Sequence, residues 1–200
     1  GQYGLSASLE WFDRALAIDP NNLQALGEAA ATLGDSGRYT EMLGRTRRML
    51  AIEPDNARAL YLQAVMAARG KQYELARTLV YRIGDRMNGV PGMMLLKGVL
   101  ALEAGAGEQA KKALEPLAWY QRTNLTAWQL YGLALMKAGD TKDAFFRLAP
   151  LGDRADAGSY TLLKLAELQE GIGNWPGAGI LRDRAARSSR QTCSSRRLPA

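Results

Sequence analysis

Apolar positions along the chain recur at helical spacing, and the pattern repeats with a step of 34 residues. In residues 23–37, Leu26, Ala29, Ala30 and Leu33 follow the 3.6-residue period of an amphipathic helix, and Gly37 ends it. A second helix is predicted from Tyr39 to Ile52, where Glu53-Pro54-Asp55-Asn56 stops it. Four registers carry this unit along the chain. Small residues stand at Ala30, Ala64, Gly98, Gly132 and Ala166. A second series runs Met42, Ala76, Ala110, Ala144 and Ala178, and a third Leu26, Leu60, Met94, Trp128 and Leu162. Turn residues fall at Gly37, Gly105, Gly139 and Gly173, with Lys71, preceded by Gly70, as the exception. Aromatics follow two residues later at Tyr39, Tyr73 and Trp175, whereas Gly107 and Thr141 break that series.

Each unit therefore reads as two helices that approach closely at the small residue of the first. One helix pair cannot bury both its faces, so neighbouring units must stack. The residues of the best copy, Leu23 to Asn56, make the chain resemble the tetratricopeptide repeat: Leu26, Ala30, Leu33, Gly37, Tyr39 and Ile52-Glu53-Pro54-Asp55-Asn56 stand at that family's apolar, small, aromatic and Asp-Pro-Asn places. Phe12 to Asn22 matches the second half of a unit. The resemblance covers roughly residues 1–187 and implies an all-α fold, a right-handed α-α superhelix of about eleven helices. The units expected are a half-unit 1–22, then 23–56, 57–90, 91–124, 125–158 and 159–187, followed by a basic flexible tail or linker at 188–200. The second helix expected at residues 5–19 would lack a first-helix partner, so a piece of a longer protein is expected, and the Ala/Gly/Leu/Arg-rich style suggests a bacterial one. Asn88 and Arg122 stand where Pro54 stands, and Pro116 and Pro150 are expected to shorten or kink two second helices.

Composition narrows the chemistry. There is no histidine and a single cysteine, Cys193, which removes the commonest general base, the commonest transition-metal ligand and any intrachain disulfide. Net charge is +6, but six arginines from Arg182 onward against Asp183 supply +5 of it, leaving the body near neutral. No apolar stretch is long enough to span a bilayer; Gly92 to Leu102 carries Lys97 and is too short. A soluble piece in the cytoplasm or periplasm is expected. The glycine pairs 105/107, 171/173 and 177/179 complete no phosphate-binding motif and fall at helix turns. Glu167 and Glu170 lie one turn apart on an ordinary solvated face, and Asn124-Leu125-Thr126 forms a glycosylation sequon only by chance. No catalytic, metal or cofactor site is expected.

The resemblance implies a non-catalytic scaffold or adaptor whose first helices line a concave groove. Tyr61, Val65, Leu95, Val99, Leu102, Leu133, Met136 and Leu163 are the apolar candidates there, with Arg58, Arg69, Gln129 and Lys137 at the polar margin. Family members that hold the C-terminal carboxylate of heat-shock chaperones use Lys and Asn at the fifth and ninth places of the unit; this chain has neither there. The expected occupant is an apolar or amphipathic peptide or helix of another protein, with Tyr61 and Met136 as adaptable anchors. Two alternatives compete: an anionic partner, nucleic acid the less favoured, held by the arginine-rich tail, and a homodimer formed through exposed array ends. The arginines at 45, 47 and 48 and at 77, 82 and 86 cluster on second helices, where a solvated outer surface accounts for them.

Overall fold

The computed structural model describes residues 2–121 and 123–194, with side chains described for residues 7–121 and 123–188. Among these residues there is no strand. Eleven helices follow one another: α1 (Gln2–Ile18), α2 (Leu23–Asp35), α3 (Tyr39–Ile52), α4 (Ala57–Arg69), α5 (Tyr73–Ile83), α6 (Pro91–Glu103), α7 (Gly107–Tyr120), α8 (Leu125–Ala138), α9 (Thr141–Gly152), α10 (Ser159–Gly171) and α11 (Trp175–Ser194). First helices start at Leu23, Ala57, Pro91, Leu125 and Ser159, and their partners at Tyr39, Tyr73, Gly107, Thr141 and Trp175, both series in steps of 34. No described helix is long and apolar enough to cross a membrane. The chain divides into two compact units, Gly1–Leu96 and Lys97–Ala200, with the boundary inside α6.

The turn inside each helix pair is the same object five times. The N–H of Arg38 donates to the carbonyl of Leu33, and the identical bond joins Gln72 to Ala67, Ala106 to Ala101, Asp140 to Leu135 and Asn174 to Gln169. This long reach back over the helix end requires one residue in the left-handed region. Gly37, Gly105, Gly139 and Gly173 supply it at φ of 78°, 73°, 90° and 80°. Lys71, the exception in the sequence register, adopts φ of 59° and is the one described non-glycine residue with positive φ. The register thus fixes the turn conformation, and Lys71 bears the steric cost that glycine avoids. Between pairs, the asparagine closing the turn caps the next helix: the Oδ1 atoms of Asn22, Asn56 and Asn124 accept from the N–H of Ala25, Ala59 and Ala127 at 2.9, 3.0 and 3.1 Å.

In the first unit, Leu9 of α1, Ala29, Ala30 and Leu33 of α2 and Met42 of α3 form one buried cluster. Leu16, Ala25, Leu26, Met49 and Ala59 form a second. The small residues Ala30, Ala64 and Ala76 are fully buried at the crossings. In the second unit the crossings are tighter. A Cβ on Gly98 would lie 2.4 Å from Leu114, and one on Gly132 would lie 2.5 Å from Leu148. Gly107, which breaks the aromatic series, has a structural reason: a Cβ there would stand 2.4 Å from the backbone of Lys137 and Ala138, so no side chain fits. Met94 and Trp128 are only half-buried, and Met93 takes the buried place in α6 instead.

Pro116 lies inside α7, which at 14 residues equals α3 in length, whereas α9 is shorter at 12 residues and ends two residues after Pro150. Each proline removes one N–H donor; Leu114, Leu117 and Ala118 around Pro116, and Leu148 and Leu151 around Pro150, are buried. The last helix continues past Arg187, where a tail was expected to begin. No proline or glycine follows Arg187 until Pro199, and α11 runs on to Ser194. The Ser188 hydroxyl donates to the carbonyl of Ala157 at 3.2 Å. Residues 195–200 of the expected tail lie outside the described residues.

Lys71→Gly is expected to stabilise the protein by about 0.5–1 kcal/mol, since relief of the left-handed strain outweighs the added freedom of the unfolded chain; a urea titration should show a later midpoint at unchanged slope. Gly132→Leu should overpack the α8–α9 crossing and cost roughly 1–3 kcal/mol or more in the same measurement.

Candidate protein-binding groove

In the second unit the C-terminal half of α6, with α8 and α10, encloses a groove of about 800 Å³. Its apolar lining is Val99 and Leu102 from α6 and Leu130, Leu133 and Met136 from α8. All five are half-buried, neither sealed in the core nor fully open. The helix period places them: on α8, Thr126, Gln129, Leu130, Leu133, Met136 and Lys137 recur at intervals of three and four, so they share one stripe. The opposite face of α8 carries Ala127, Tyr131, Gly132, Ala134 and Leu135 into the core.

Polar groups ring this lining. Glu103 and Lys137 are exposed at the C-terminal ends of α6 and α8. From α10, the ammonium of Lys164 donates to both carboxylate oxygens of Glu167 at 2.8 Å and lies 5.7 Å from the centre of the Tyr160 ring. Lys164 and Glu167 therefore neutralise one another, whereas Glu103 and Lys137 have no ion-pair partner among the described residues.

Of the residues expected from sequence, Val99, Leu102, Gln129, Leu133, Met136 and Lys137 are brought together here. Leu163 is exposed beside Lys164 but does not line the groove. Glu103, Thr126, Leu130, Tyr160 and Lys164 were not foreseen, whereas Glu167 stands at the ninth place of its unit, one of the places expected to face the groove. A signal for Glu103 was present, because it occupies the register of Arg69 and Lys137. Thr126 and Tyr160 likewise share a register, as do Leu130 and Lys164.

The candidates of the first unit are differently engaged. Arg58 donates to Glu28 at 2.8 Å and lies against Gly27, where an added Cβ would meet its Cδ at 3.1 Å. This hydrogen bond holds the Glu28 carboxyl below the usual carboxylate range. The Arg69 guanidinium stands 5.0 Å from the centre of the Tyr39 ring. Tyr61 projects its hydroxyl onto Gly92, into space that a Cβ would fill at 2.1 Å. Burial, and secondarily the Asp35 carboxylate, pushes that hydroxyl's pKa up. Tyr61 is thus committed to a contact with the start of α6, which removes the adaptability expected of it. Val65 and Leu95 are half-buried.

The outer arginines are also largely satisfied within the chain. Arg45 pairs with Asp13 at 2.7 Å, Arg82 with Asp55 at 2.8 Å, and Arg77 with Glu74. Arg86 donates to the carbonyls of Ile83, Asp55 and Arg82. At the C-terminal helix Arg182 pairs with Glu170 at 2.7 Å, and Arg184 donates to the carbonyl of Arg154. Arg190, Arg196 and Arg197 lie outside the described side chains.

Helix pairs of this length, joined by one repeated turn and crossing at small residues, define a TPR-type helical-repeat fold. Solved structures of that class share the fold. YrrB, described as a TPR protein with an unusual peptide-binding site, superposes with a TM-score of 0.70 at 14% identity, covering 88% of this chain and 91% of its own. MamA from Desulfovibrio magneticus RS-1 gives 0.68 at 15% identity over 84% and 96% of the two chains. A tetratricopeptide repeat protein from Parabacteroides merdae gives 0.56 at 14% identity over 94% and 73%. No protein-family model and no curated protein matches the sequence.

Proposed function

We propose that the protein is a non-catalytic interaction scaffold whose groove on α6, α8 and α10 takes an apolar or amphipathic peptide or helix from another protein. The observation that carries this reading is the groove itself: an apolar lining of five half-buried aliphatic and Met side chains inside a charged margin. Open apolar surface of this kind is costly to leave in water and suits an apolar face presented at helical spacing. Met136 lies in the lining, and its flexible thioether lets the groove adapt to different side chains. At the margin, Glu103 and Lys137 are free to set the direction of the occupant by pairing with charges on it. YrrB, of like fold, is described as having a peptide-binding site, which agrees with this use of the architecture. Within the first unit, Arg58, Tyr61 and Arg69 support the helices through internal contacts, so the second unit supplies the working surface.

Selection of a phage-displayed random peptide library on the protein should enrich peptides with apolar residues three and four apart. Their affinity should fall little as salt rises, because the driving force is apolar burial and not the release of counterions from phosphate. Leu133→Asp should weaken capture by at least about tenfold, equivalent to about 1.4 kcal/mol, with helicity and melting temperature retained, because Leu133 is not part of the sealed core. No enrichment over an unrelated helical protein, or a peptide held equally by Leu133→Asp, would remove the groove from the account.

A further inference from the structure

The second unit carries another apolar surface, on its second helices and away from the groove. Trp119 near the end of α7 is 52% exposed, and Phe146 on α9 is 73% exposed. Arg147 ties the surface together: its guanidinium stands 5.1 Å from the centre of the Trp119 ring, 5.4 Å from Trp128 and 5.7 Å from Tyr131. Helical spacing explains how α9 contributes. Asp143, Phe146, Arg147 and Pro150 stand at intervals of three, four and seven, so one stripe of α9 reaches this surface, and all four line a shallow hollow against Trp128.

Neither Asp143 nor Arg147 has an ion-pair partner within the chain among the described residues. They lie one turn apart, roughly 6 Å along the helix axis. Such a stripe is complementary to itself. If α9 of one copy crosses α9 of another in the antiparallel sense about a twofold axis near Phe145, Asp143 of each copy faces Arg147 of the other. Arg147 keeps its faces on the aromatic rings and offers its edge N–H groups to the incoming carboxylate. The exposed parts of Trp119 and Phe146 alone offer roughly 280 Å² per copy, taking about 150–250 Å² for a whole aromatic side chain. A stable interface needs about 800 Å² per partner, so these two rings supply about a third, and the α9 stripe around them supplies the rest.

We propose that this aromatic face is a self-association surface, occupied by a second copy of the chain through an isologous α9–α9 contact with reciprocal Asp143–Arg147 pairs. It is a different surface from the groove and from the array ends, and it holds whether or not the groove takes a peptide.

Sedimentation equilibrium of the full chain over a range of loading concentrations tests it. The unaltered protein should pass from monomer to dimer as concentration rises. Asp143→Arg places like charges opposite Arg147, and Arg147→Glu places them opposite Asp143, so each variant alone should dimerise at least about tenfold more weakly. Mixed together they should recover a dimer, because every contact in the mixed pair is again between opposite charges. Phe146→Ser, which removes an exposed ring, should also weaken the dimer while its circular dichroism and melting temperature stay unchanged. A protein that is monomeric at every concentration overturns the proposal. So does a dimer that ignores Asp143→Arg and Phe146→Ser, which would place the contact at the array ends or elsewhere, and so does failure of the two charge variants to associate when mixed.

Discussion

The close crossing of two helices at a residue with almost no side chain is the constraint on which the structure depends. Gly98 lets Leu114 into van der Waals contact with the backbone of α6, and Gly132 does the same for Leu148 on α8. In the first unit Ala30 and Ala64 occupy the same register, both wholly buried. At such separations a single added methyl group collides, so the crossing point cannot slide along the helix. Once it is set, the 3.6-residue period decides what each face does. On α8 the residues beside Gly132 go into the core, and the stripe on the other side, from Gln129 to Lys137, is left to line the groove.

The turn is the second constraint, and it acts through backbone and not side chain. Five repeats of one long hydrogen bond close the turn of each helix pair. Lys71 demonstrates the order of causes, because the chain adopts the left-handed conformation there without a glycine to ease it. Local preference yields to the packing of the flanking helices. Pro116 sits inside a full-length helix among the buried Leu114, Leu117 and Ala118, whereas α9 ends two residues after Pro150.

What was legible in the sequence follows from this. Helix boundaries and crossing residues were readable because they depend on a register that repeats five times, so errors in one copy are outvoted by the others. Half of the groove was readable for the same reason, from Val99 through Lys137. Its remaining parts were not, because the direction of a side chain depends on neighbours in space. Nothing in the order of residues says that Tyr61 closes onto Gly92, or that Arg147 lies over three rings drawn from α7 and α8. An acidic residue at a helix end, such as Glu103, reads as solvated surface until Lys137 is seen at the equivalent place on the next first helix.

The proposed working surface is the face left over by the helix crossings of the second unit. Hydrogen–deuterium exchange with a selected peptide bound tests this directly. Protection should rise in α8 and α10 and in the last turn of α6, whose stripes line the groove, while α7 and α9 exchange as before. Protection centred on α7 and α9, or spread through the first unit with α8 and α10 unchanged, would contradict it.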